Sequence, residues 1–194
     1  YYFIQINDID ASSSINLNGG AGFLPIGNID DAFFNGQYDG NGYVIDQLYI
    51  NRPNMQVVSF MGRIANTGEN LAVQDLGLTN IHFIGGTVHT GGFVGFLANS
   101  SIERCFVTGT LDAEGPSGFV SVATGSSIKN CYTKINIASN NFAFGFSAYV
   151  LSNIEKCFSV LTTGPNSSIN SYASMSSNAP ANAFDDSYYL ETGM

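Results

Sequence analysis

The feature that most constrains this chain is a spacing. Ile102, Ile128 and Ile154, and likewise Cys105, Cys131 and Cys157, recur 26 residues apart within SSIERCFVTGT, SSIKNCYTKIN and SNIEKCFSVLT. A repeat of this length is one supersecondary unit that cannot bury its own apolar face, so successive copies must stack and share a core. Phe93, Phe119 and Phe146 open the three copies, and a more divergent one starts at Phe60, where Val73 and Leu76 take the places of the later Ile and Cys.

A period in the twenties fits a leucine-rich repeat or a parallel β-helix. The first needs a column of Asn and a helical return. LGLTN at 76–80 has a trace of that pattern, but the later copies fill the return with Ser, Gly and Asn and show no helical spacing of apolar residues. The sequence therefore predicts an all-β chain, a single parallel β-helix over residues 1–194 with coils of about 26 residues. N-terminal coils occupy 1–59, the repeats 60–168 and an irregular closing coil 169–194. Composition agrees, since 15 Phe and 10 Tyr supply a core, while 22 Gly with abundant Asn and Ser supply turns.

Parallel coils stack at about 4.8 Å, with equivalent residues directly above one another. Positions 105, 107, 109 and 111 and their equivalents carry the more apolar parity and are expected to face inward. Cys105, Cys131 and Cys157 then form an internal ladder of small side chains beside Ile102, Ile128 and Ile154. A single disulfide between stacked neighbours is the alternative, with parallel side-chain vectors against it. Thiols spread along an axis do not converge as zinc ligands must, and nothing here supplies the base a thiol nucleophile needs. Glu103, Lys129 and Glu155 stack as an exposed column of alternating sign. Phe106, Tyr132 and Phe158 fall on the outward parity, where they either shield the strands or offer a flat strip to a sugar ring or a protein surface.

Net charge is −9 with six Lys and Arg in all, which excludes the basic stripe that nucleic-acid recognition requires. No apolar run reaches the length of about 18 residues that spans a bilayer. The start at YYFIQI, without Met or a leader-like stretch, reads as a fragment or a processed form. Residues 1–46 hold six Asp and no Lys or Arg. Asp8 and Asp10 fall on one strand face, a candidate calcium site if Asp30 and Asp31 come near, with a solvated acidic edge as the plainer reading. His82 and His89 are expected on turns or strand faces. No GxSxG elbow, phosphate loop or HExxH motif is present.

Ahead of the repeats stand IQINDID (4–10), LPIG (24–27) and FNGQYDGNGYVIDQLYI (34–50), followed by GGFVGF (91–96), IERCF, IKNCY, IEKCF and the closing DDSYYLETG (185–193). This order resembles the GLUG-repeat proteins, bacterial surface and secreted proteins. The resemblance implies a right-handed parallel β-helix, an extracellular or cell-surface location, and a structural or adhesive module without catalytic residues, whose partner would be a host glycan or a surface protein. FVSVAT (119–124) and FSAYVL (146–151) depart from the pattern by losing its second Gly. The enzymatic alternative is a polysaccharide lyase or hydrolase, but a lyase needs a cation and a base and a hydrolase two placed carboxylates, against which the repeats offer Arg104 and scattered acids. Neither YYFIQI nor YLETGM reads as a cap, so the ends are expected to meet neighbouring domains or to stack on identical copies, the latter giving a filament.

Overall fold

The computed structural model describes all residues except 28–31, 66, 68–70, 139–142, 164–168, 176–183, 186–187 and 194, and from residue 163 onward it describes the strand backbone alone. The described chain is all-β apart from a 3-10 stretch at Ser12–Gly20, which is interrupted where Leu17, Asn18 and Gly19 leave helical geometry. That stretch is tied to the sheet by Ser14, whose buried hydroxyl accepts the Tyr49 N–H at 2.9 Å.

Among the described residues, ten strands form one sheet and eight another, and their ladders are parallel. Both sheets run from N-terminal strands at one edge, Tyr2–Ile4 and Ile9–Asp10, to C-terminal strands at the other, including Ile169–Met175 and Tyr188–Gly193. A shorter ladder pairs Val57–Val58 with His89–Thr90 and continues through the bridges Gly91–Ser117 and Ser117–Phe144. The sheets curl around one shared core.

The 26-residue spacing appears directly as register: Ile102 pairs with Ile128 and Ile128 with Ile154, while Phe106 pairs with Tyr132 and Tyr132 with Phe158. Alternation along Tyr132–Ile137 is complete, with Thr133, Ile135 and Ile137 buried and Tyr132, Lys134 and Asn136 exposed. Each buried Ile contributes about 1.5–3 kcal/mol by leaving water. Thr133 and Ser159 share the inward parity, and their hydroxyls donate to the Gly118 and Gly145 carbonyls at 2.9 and 2.6 Å, so burying them leaves no polar atom unpaired. Alternation breaks at Gly109, which is partly exposed, because Asn80 is an extra residue opposite Thr108 and shifts the register between Val107 and Gly109.

The sequence identifies the Phe residues as repeat starts, and the structure shows what they do. Phe93, Phe119 and Phe146 are fully buried, and their rings stack at centroid distances of 4.9 Å with interplanar angles of 6° and 10°. Phe60 meets Phe93 edge-on at 6.0 Å. The stack therefore follows the rung spacing through the later coils and turns where the earlier, longer coil begins.

Candidate functional site

Between Glu103 and Cys105 the chain leaves one sheet for the other. The corner residue in successive coils is Asp75, Arg104, Asn130 and Lys156, all with φ between 51° and 53°. Left-handed backbone is uncommon for residues other than Gly, so something must hold it. Part of the support is the next coil: the corner N–H groups of Asp75, Arg104 and Asn130 donate to the carbonyls of Glu103, Lys129 and Glu155 at 3.2, 3.1 and 3.0 Å.

The three cysteines supply the rest. All are buried free thiols. The thiols of Cys105, Cys131 and Cys157 donate to the carbonyls two residues back, Glu103, Lys129 and Glu155, at 3.3, 3.1 and 3.3 Å, and so clamp each corner. Cys131 Sγ also accepts the Cys105 N–H at 3.4 Å. Burial, with hydrogen bonding to Cys105, pushes the Cys131 thiol well above its ordinary range, and hydrogen bonding with Cys131 followed by burial does the same for Cys157. A thiol held neutral in this way is a poor nucleophile.

A second column does the same work at the other corner and was not singled out in the sequence. Ser100, Ser126 and Ser152 are buried at the same 26-residue spacing. Ser100 and Ser126 donate to the Ala98 and Thr124 carbonyls at 2.8 and 2.9 Å, across the left-handed Asn99 and Gly125. Their own N–H groups reach the hydroxyl of the next coil, Ser126 and Ser152, at 3.3 and 3.0 Å. The signal for this column was the Ser two residues before each Ile, masked by the abundance of Ser elsewhere.

On the exposed side of the Cys corner runs a chain of charges. Lys129 meets Glu155 at 2.8 Å, but Glu103 is held by Arg104 at 2.7 Å and by the Asn130 amide at 3.2 Å rather than by Lys129. Arg104 also forks onto both oxygens of Asp75 at 2.6 and 2.8 Å, which raises its pKa further and spends its charge locally.

The outward aromatics lie on the second sheet. Phe106 and Tyr132 stack at 4.9 Å with their planes 1° apart, and Tyr132 and Phe158 are 39% and 40% exposed. Phe106 lies over Gly77 so closely that a Cβ there would run into its ring, which is why the preceding coil has no side chain at this place. Asp8 and Asp10, at the N-terminal edge, accept the backbone N–H groups of Val44 and Ser12, each at 2.9 Å. Among the described residues no group of three or more His, Cys, Asp or Glu is placed to hold a metal, and Asp30 and Asp31 lie outside them.

One site escaped the sequence pattern because it is assembled from loops of unequal length. Arg63, Phe96, Val122 and Tyr149 succeed one another on the outer face of the first sheet. Beside them the loop at Thr87–His89 closes a groove with two compartments. The smaller, about 240 Å³, is lined by Arg63, Phe96, Gln56 and His89, and the larger, about 460 Å³, by His89, Ser121, Glu114 and Tyr149. His89 Nδ1 lies 3.3 Å from Ser121 Oγ, and burial lowers the His89 pKa. Gly95 is needed here, since a Cβ would collide with Val57 and the Gly62 carbonyl.

The geometry thus defines a class, an all-β protein of mostly parallel, curled sheets in which repeats 26 residues apart pair in register. Comparison with known proteins gives the particular likeness: the family described as "The GLUG motif" matches residues 86–112, which hold one left-handed corner of each kind together with Phe93, Ser100 and Cys105. The chain is 34% identical over 108 residues to halomucin of Haloquadratum walsbyi, an alignment covering 54% of this chain and 1% of that protein. It is also 34% identical over 112 residues to a protein of Evansella cellulosilytica named "Gly-rich membrane protein", covering 53% of this chain and 12% of that one. The chain therefore spans only a small part of the relatives it matches. No solved structure matches it.

Proposed function

We propose that this chain is a non-catalytic structural and adhesive module of a bacterial-type surface or secreted protein, built as a single right-handed parallel β-helix with coils of about 26 residues. The observation that carries this reading is the pair of corner columns, Ser100–Ser126–Ser152 and Cys105–Cys131–Cys157: the repeated polar atoms of the core are spent on holding coil to coil. The names of the two relatives, a halomucin and a membrane protein, support an exported location. Among the described residues no helix is long and apolar enough to cross a membrane. The lyase alternative loses the cation the sequence offered for it, because Arg104 is held between Asp75 and Glu103, and the groove-lining guanidinium of Arg63 is permanently protonated and supplies no base. The test is antibody labelling of cells that make the full-length protein. Labelling of intact cells supports the reading, and labelling only after permeabilisation overturns it.

End-to-end stacking of copies into a filament is the second reading. It is favoured by the N-terminal edge, where Tyr1, Tyr2, Phe3, Ile4 and Ile6 are all at least half exposed and the strand Tyr2–Ile4 pairs on one side only among the described residues. Rods in negative-stain images of the isolated chain support it, and monomers at high concentration count against it.

A further inference from the structure

The groove on the first sheet contains a cation without a carboxylate partner among the described residues. Of the six Lys and Arg, Arg104, Lys129 and Lys156 face carboxylates, Arg52 donates to the Phe23 and Gly22 carbonyls, and Lys134 is exposed to solvent on the other sheet. Arg63 has no carboxylate partner among the described residues. Its guanidinium sits 5.7 Å from the Phe33 ring centroid and 5.2 Å from that of Phe96, and its buried Nε has no hydrogen-bond partner. A buried donor without an acceptor is costly and rare, and a positive charge fixed between two rings is already desolvated and oriented.

Along the same groove the chemistry changes from charge to a flat face with hydroxyl-matching groups. Tyr149 is 38% exposed, and Ser121 and His89 add a hydroxyl and an imidazole beside it. From Arg63 to Tyr149 is three rungs, roughly 14 Å at the strand spacing. We propose that this groove binds a short acidic saccharide, with a sugar carboxylate taken by Arg63 in the smaller compartment and a following ring laid on Tyr149 in the larger one. A neutral glycan would leave the guanidinium unpaired, and a nucleic acid or another polyanion would meet the net charge of −9 over far more of its length. The proposal rests on the adhesive part of the reading above and names the ligand class and its site.

Calorimetric titration of the whole chain with a disaccharide of one uronate and one neutral sugar, and with a neutral disaccharide, tests it. The acidic probe binds and the neutral one does not. Arg63→Gln weakens binding about tenfold or more, as loss of a charge-assisted pair should. Tyr149→Ala, an exposed change that spares the core, also weakens it, and Lys134→Gln, an exposed cation on the other sheet, leaves it unchanged. Absence of binding by the acidic probe, equal binding of the neutral one, or equal losses from Lys134→Gln and Arg63→Gln overturns the proposal. If Arg63→Gln fails to fold, unaltered binding by Tyr149→Ala overturns it. A chain that labels intact cells yet binds no saccharide defeats this inference alone, whereas one found only inside cells defeats the surface reading itself.

Discussion

Ser126 and Cys131 occupy equivalent places at the two corners of one coil: Ser126 Oγ donates to the Thr124 carbonyl at 2.9 Å, and Cys131 Sγ donates to the Lys129 carbonyl at 3.1 Å. Each also accepts an N–H from the coil before it, Ser100 at 3.3 Å and Cys105 at 3.4 Å. The cysteines are thus corner clamps of the same kind as the serines, differing in the heavier atom.

Substitution at Cys131 should separate hydrogen bonding from mere filling. Cys131→Ser keeps a donor and an acceptor and is expected to stay within about 1 kcal/mol of the parent, whereas Cys131→Ala leaves the buried Cys105 N–H unpaired and costs about 1–3 kcal/mol. Urea unfolding of the two variants measures the difference. Equal stability would assign the column to packing alone.

Phe119 lies between Phe93 and Phe146 in the buried stack, so Phe119→Ala is expected to cost about 3–5 kcal/mol. Tyr132→Ala removes a ring from an exposed stack and is expected to cost no more than about 1.5 kcal/mol. Thermal melts of both rank the two columns, and a smaller loss at Phe119 would contradict the packing described.

The buried thiols carry a pH signature. Folding raises the Cys131 and Cys157 pKa values, so the stability this represents is complete below the unfolded thiol value, about 8.5, and is lost as pH rises past it. Melting temperature should fall from pH 8 to pH 10. Iodoacetamide should label native protein slowly and unfolded protein fast. Prompt labelling of the native chain would contradict the burial.

Carboxylates act in the opposite direction. Lys129 holds the Glu155 carboxyl below its usual range, and the hydroxyl of Thr79, with the Asn80 amide, does so for Asp46. The stability they represent is present above the unfolded carboxylate range, about pH 4, and disappears as pH falls below it. Lys129→Glu places a third carboxylate between Glu103 and Glu155, so this variant should be less stable than the parent at pH 7 and regain part of the deficit near pH 4. Melting curves across this range test both statements.

Register was legible in the sequence because in-register parallel stacking turns a spacing of 26 residues into spatial contact, as Ile102, Ile128 and Ile154 show. The outward place of Tyr132 followed from parity once the rung was known. Left-handed corners were harder to see, since Arg104 and Lys156 are not residues that announce such a backbone. The groove at Arg63 was not legible at all. It depends on how the loop at Thr87–His89 and the turn at Glu114–Gly115 fold over a sheet face, and neither segment keeps the period.

The corner clamps also govern how such a chain can change length. Because each clamp draws its N–H from the neighbouring coil, removing or duplicating one whole circuit returns every donor to an acceptor, while a cut within a strand or corner strands a row of them. Loops between the corners absorb other lengths, as the 29 residues from Asp75 to Arg104 do, so it is the laddered part of the molecule that should change in quanta of a full turn, a ruler graduated in units of its own repeat.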